Sequence, residues 1–271
     1  MAKINESERA KYIEKITPYR EATKQIIKEE QFIRLAIEGK KEKPGPKRFD
    51  LSESMLNLAT NYMVINGVSV AVQQQRDENA LNDARKALYK SVIYLEETVS
   101  NYIDAPFADY EKYLASIDSV SPARRYYLVQ KMGLGIELLV NAYGDNTKWR
   151  WTFVELEGRF ATVAKNLINL RDIIANSDFE SPHYEPTALH LQLVKKLLMM
   201  AADRYREKYE LSTQRSDDFK ASINYLSALK RLNTLTGDSV GAAKTQKKLD
   251  TWTDKLTSDM TKQDQSGKGK V

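Results

Sequence analysis

Phe153, Leu156, Phe160, Val163, Leu167, Leu170 and Ile174 recur at intervals of three and four residues over three heptads. That spacing is one face of an α-helix, whereas a strand buries alternate residues. A seam of this length needs a mate packed lengthwise against it. Leu51, Met55, Leu58, Tyr62, Ile65, Ser69 and Val72 repeat the pattern, as do Leu81, Ala84, Leu88, Val92, Leu95, Val99 and Tyr102. Leu56, Met63 and Val70 add a second stripe to the first of these helices, which makes it a central one. Only 11 Gly and 7 Pro occur in 271 residues, too few for a chain that turns every few residues. The predicted fold is all-α: an antiparallel bundle of seven or eight main helices preceded by a helical arm.

The punctuation sets the boundaries. Residues 1–38 read as helix, with a break at Thr17-Pro18, where threonine caps a second helix that proline begins. Gly39 to Arg48 holds two glycines, two prolines and no apolar residue, so 39–49 is predicted as a basic linker. Asp50-Leu-Ser-Glu53 resembles a capping box at the start of the bundle, 50–257. Ser121-Pro122 opens a helix that Gly144 closes, Ser216-Asp-Asp218 opens one that Gly237 closes, and 258–271 is predicted as a flexible polar tail.

Composition removes several chemistries. Without cysteine there is no disulfide framework, zinc–thiolate site, iron–sulfur cluster or thiol nucleophile. The two histidines, His183 and His190, exclude a three-histidine metal site. A di-iron bundle needs two Glu-x-x-His motifs on inward helix faces. Glu180-Ser-Pro-His183 is the one instance here, and proline places it in a loop. His183, Tyr184, Glu185 and His190 read more simply as a loop capping the next helix than as a ligand pocket. Met132-Gly-Leu-Gly-Ile136 lies within a helical run and lacks the strand and lysine of a phosphate loop, so close helix crossing explains its glycines better. The sequence therefore predicts no catalytic residue, no metal and no cofactor. It shows neither a signal peptide nor an unbroken apolar run near the ~20 residues that span a bilayer. A cytoplasmic protein without a membrane role is the expectation.

Charge is uneven. The net charge of +5 divides into +4 over residues 1–50, −5 over 51–120, +2 over 121–178 and +4 over 179–271. Two clusters interleave cations with aromatics: Arg124-Arg125-Tyr126-Tyr127 and Lys148-Trp149-Arg150-Trp151. Both open helices, where the dipole disfavours cations unless an anion binds there. They are candidate binding residues, with Lys40, Lys41, Lys43, Lys47 and Arg48 of the linker as flexible phosphate contacts. Trp149 and Trp151 point about 200° apart on a helix. Trp151, beside the seam, is expected to be buried and Trp149 exposed.

Two functions follow. The first is a non-enzymatic helical scaffold that binds a protein partner or self-associates. The alternative is a protein that binds nucleic acid or another polyanion through the basic–aromatic clusters.

Overall fold

A computed structural model describes residues 6–39, 44–144 and 147–268, the last six for their backbone only. The protein is all-helical, 85% helix, with no strand among the described residues. Its chain forms two compact units, Met1–Ser100 with Glu111–Lys148, and Asn101–Tyr110 with Trp149–Val271. The sequence had placed a single bundle over 50–257 behind an arm and a linker.

The first unit contains α1 (Glu6–Glu38), α2 (Gly45–Gln73), α3 (Glu78–Val99) and α5 (Pro122–Tyr143). The expected break at Thr17-Pro18 is absent: α1 runs through Pro18. Positions 13–15, 17 and 18 all face solvent, so water can satisfy the carbonyl that proline leaves without a donor. The Thr17 hydroxyl donates to the Ile13 carbonyl at 2.7 Å. Nor is α1 a free arm. Tyr12, Ile16, Thr23 and Glu30 are its buried residues, and Tyr12 and Ile16 pack with Ile65 of α2 and Ala80 of α3.

The predicted linker ends in the first turn of α2. Lys40, Lys41 and Lys43 lie outside the described residues, but the helix already begins at Gly45, with Pro46 in its first turn. Proline belongs there because a first-turn N–H has no intrahelical acceptor. Gly45 is required by contact: a Cβ would lie 2.8 Å from the Ser116 carbonyl oxygen and 2.5 Å from its hydroxyl. Asp50 and Glu53 are consequently inside the helix and cap nothing.

Central α2 is covered by its neighbours along its N-terminal half, where Leu51, Met55, Leu58 and Ala59 are buried. By length and composition alone the helix is also apolar enough to cross a membrane. No unbroken apolar run revealed this, because Asn66, Gly67 and Ser69 interrupt it. α3 returns along α2 after a short turn capped by Asp77, whose side chain accepts from the Ala80 N–H at 2.9 Å. Between them the Ser52 and Ser91 hydroxyls meet at 2.9 Å. Gly135 of α5 allows close crossing, since a Cβ would stand 3.2 Å from Leu56 and 3.5 Å from Leu88.

The boundary between the units falls within α4 (Phe107–Leu114). The second unit continues with α6 (Arg150–Asn166), α7 (Leu170–Ala175), α8 (Tyr184–Lys208), α9 (Ser216–Leu235) and α10 (Ser239–Lys268). The long seam is buried from Phe153 to Leu167 and then stops. Asn169 caps a new short helix by accepting from the Arg171 N–H at 3.0 Å, which turns the chain and leaves Ile174 75% exposed. Helix α8 packs on α6 and α9, and α10 on α9. A π-helical turn, Tyr209–Thr213, joins α8 to α9. α10 runs past the expected end near residue 257 to Lys268.

Candidate functional site

Arg124 does not present a free charge. Its guanidinium donates to Asp50 and Glu53, both at 2.8 Å, and lies 5.2 Å from the Phe49 ring centroid. The acids of the supposed capping box are thus the partners of the first basic cluster. Arg125 is buried, and its guanidinium donates to the Ile117 carbonyl at 3.1 Å, holding the turn that precedes α5. A buried arginine bound to backbone supplies no surface cation. Tyr126 is buried as well, whereas Tyr127 is 54% exposed.

Tyr127 has exposed company along its own helix. Leu134 and Leu138 follow at seven and eleven residues, 56% and 47% exposed, with Lys131 between them. The spacing 127, 131, 134, 138 is one continuous line on α5, opposite the face that packs on α2 and α3. Glu137 flanks it, and Lys131 stands 3.6 Å from Glu53. Apolar residues at helical spacing on an open face offer a lengthwise contact for another helix.

The second basic cluster divides between the units, Lys148 closing one and Trp149 opening the other. Arg150 pairs with Glu207, and Arg204 joins them by donating to Glu207 at 2.9 Å and to Glu157 at 3.0 Å. The Arg150 guanidinium also stacks over Trp151, 4.7 Å from the ring centroid. Both Trp149 and Trp151 are half-buried, so the expected contrast between them is not found. A guanidinium covering one face of Trp151 explains why it can stay at the edge of the core. The fully packed tryptophan is Trp252 of α10, between Arg206 and Lys248 at 4.9 and 4.6 Å. From the linker set, Lys47 is exposed, and Arg48 pairs with Glu97 at 3.2 Å.

One histidine ties two helices together. His190 is buried and its Nε2–H donates to the Ala164 carbonyl at 3.1 Å, tying α8 to α6. His183 precedes α8 and Glu180 is exposed. Among the described residues no three carboxylate or imidazole groups gather as a metal site.

Two buried polar groupings escaped the sequence. In the first unit, Glu30 of α1 is 3% exposed, accepts a hydrogen bond from the Tyr94 hydroxyl, and pairs with Lys90 at 2.6 Å. Burial and the adjacent carboxylate hold the Tyr94 phenol well above its ordinary range. Lys90 and Tyr94 line a cleft of about 390 Å³ together with Arg34, Arg48 and Glu97 among others. Arg34 pairs there with Glu38 at 3.6 Å, so each cation in the cleft has an acid.

In the second unit, Lys165 of α6 is 5% exposed, and its ammonium lies 4.7 Å from the Tyr110 ring centroid. Asp104 is occupied by Arg231, which donates at 2.7 and 3.3 Å. Desolvation lowers the Lys165 pKa to about 8 and raises that of Tyr110 to about 12. These four residues line one small cavity.

No curated protein and no solved structure matches the chain. A family model matches residues 8–260, nearly its whole length, and on that ground the chain belongs to the TP0443 family.

Proposed function

We propose that the protein is a non-enzymatic helical interaction protein that self-associates through the exposed face of α5. The observation that carries this is the line of Tyr127, Lys131, Leu134 and Leu138 on the side of α5 turned away from α2 and α3. Charge supports a second copy as the occupant. In an antiparallel pairing about a two-fold axis at Leu134, Lys131 of one copy falls opposite Glu137 of the other, and the reverse contact is identical.

Sedimentation equilibrium tests this with the wild-type chain and a Leu134→Asp, Leu138→Asp variant. Both positions are exposed, so circular dichroism of the variant should match that of the wild type. A wild-type dimer that the variant converts to monomer is the expected result. A monomeric wild type, or a variant that remains dimeric, would refute self-association through α5.

Less supports polyanion binding. Arg124 and Arg150 are matched to carboxylates and Arg125 is buried, so the arginines of both clusters are already engaged. The pairs would have to open before the arginines could serve.

A further inference from the structure

We propose that the cavity lined by Lys165, Tyr110, Asp104 and Arg231 binds one small monovalent anion of halide size. The inference is independent of the role of α5. Two cations and one carboxylate line the cavity, and the carboxylate is held by Arg231. The remaining positive charge sits on Lys165, and no carboxylate among the described residues comes within ion-pairing distance of its ammonium. A buried cation without a counter-ion is costly, and proteins normally pair it. What Lys165 has instead is the Tyr110 ring and a place in the cavity wall.

Size narrows the occupant. The cavity measures about 10 Å³, room for the centre of a single water-sized body. Sulfate, phosphate and organic carboxylates are too large. Leu170 and Leu232 make part of its wall, so its polar lining is Asp104, Tyr110, Lys165 and Arg231. A halide would face the Lys165 ammonium and the Arg231 guanidinium, and would bring the net charge of the group to zero. The depressed Lys165 pKa agrees with an ammonium still lacking its counter-ion.

Thermal unfolding at pH 7 and fixed ionic strength, in sodium chloride against sodium gluconate, tests the site. Gluconate cannot enter. The wild type should melt on the order of 2–4 °C higher in chloride, with a saturable dependence on concentration. Lys165→Met should lose that increment and behave alike in both salts. Should the variant fold poorly, wild-type crystals soaked in bromide give a second measurement, with an anomalous peak expected between Lys165 and Arg231. Equal melting of the wild type in both salts, an increment retained by Lys165→Met, or a cavity without an anomalous peak would overturn the proposal.

Discussion

Lys165 also makes the stability of the protein depend on pH in a predictable direction. Its folded pKa, about 8, lies below the ordinary lysine value of 10.5. Below pH 8 the ammonium is charged in both states, and the folded state bears the full desolvation cost. Between pH 8 and 10.5 the folded protein releases this proton while the unfolded chain keeps it. Stability therefore rises with pH across that window, by about 3 kcal/mol for the whole shift. Tyr110 opposes this at the upper end: its folded pKa of about 12 exceeds the ordinary 10.0, so stability is lost as pH climbs from 10 towards 12. Urea unfolding of the wild type and Lys165→Met at pH 7.5 and 9.5, in a halide-free buffer, isolates the lysine. The wild type should gain stability relative to the variant at the higher pH, and a constant difference would show that Lys165 does not titrate there. In the sequence Lys165 is one lysine between Val163 and Leu167, and solvation is the ordinary expectation for such a residue. Glu30 was hidden in the same way. Local pattern carries no information about which charges a fold will bury, because the partners lie about 60 residues away.

At the level of the element, legibility followed the turn residues. Ser121-Pro122 and Gly144 bound α5 as expected: the Ser121 hydroxyl accepts from the Arg124 N–H at 3.3 Å, and Gly144 has φ +74°. Glycine at such a φ is nearly free of strain. Failures came where a residue has two uses. Pro18 lies inside a helix on an exposed side, and the Pro44-Gly45-Pro46 run starts a helix while looking like a linker. The inward face of α1 was obscured because Thr23 and Glu30 belong to it beside Tyr12 and Ile16, so apolar residues alone looked irregular. Two glycines of α2 separate contact from propensity. Gly45→Ala should destabilise by about 1–3 kcal/mol, since the new methyl meets a backbone oxygen. Gly67→Ala has nothing within 4 Å of its Cβ and should stabilise by about 0.5–1 kcal/mol through helix propensity. Denaturant midpoints of the two variants should move in opposite directions. Equal effects would mean that Gly45 is not held by contact with Ser116.

For the whole molecule, the all-helical class was legible because the three–four spacing persists for most of the chain, and division into two units was not. Each heptad seam requires a mate, but nothing in its spacing says which one. The first unit builds its core from residues such as Leu51, Met55, Leu81 and Leu88, and the second from Phe153, Phe160, Phe219 and Tyr225. Aromatic rings meet in the second: Phe219 packs against Tyr209 at 4.8 Å and Trp252 at 6.1 Å, while Tyr205 stacks on Tyr225 at 5.6 Å. Gly158 makes room for that stack, since a Cβ would come within 2.6 Å of the Tyr205 ring and 2.7 Å of the Tyr225 hydroxyl. Leu88 is buried in the first unit and Phe219 in the second. Leu88→Ala should cost about 2–5 kcal/mol and Phe219→Ala about 3–5 kcal/mol. If the two cores are independent, the double variant should lose the sum to within about 0.5 kcal/mol. Urea titrations of the wild type, both single variants and the double variant measure this, by circular dichroism for all helices and by tryptophan emission for the second unit, where Trp149, Trp151 and Trp252 all reside. Leu88→Ala should then move the dichroism curve more than the emission curve if the units unfold separately, and both equally if they unfold as one. In either case an interaction energy well above the additive limit would mean that the two cores behave as one.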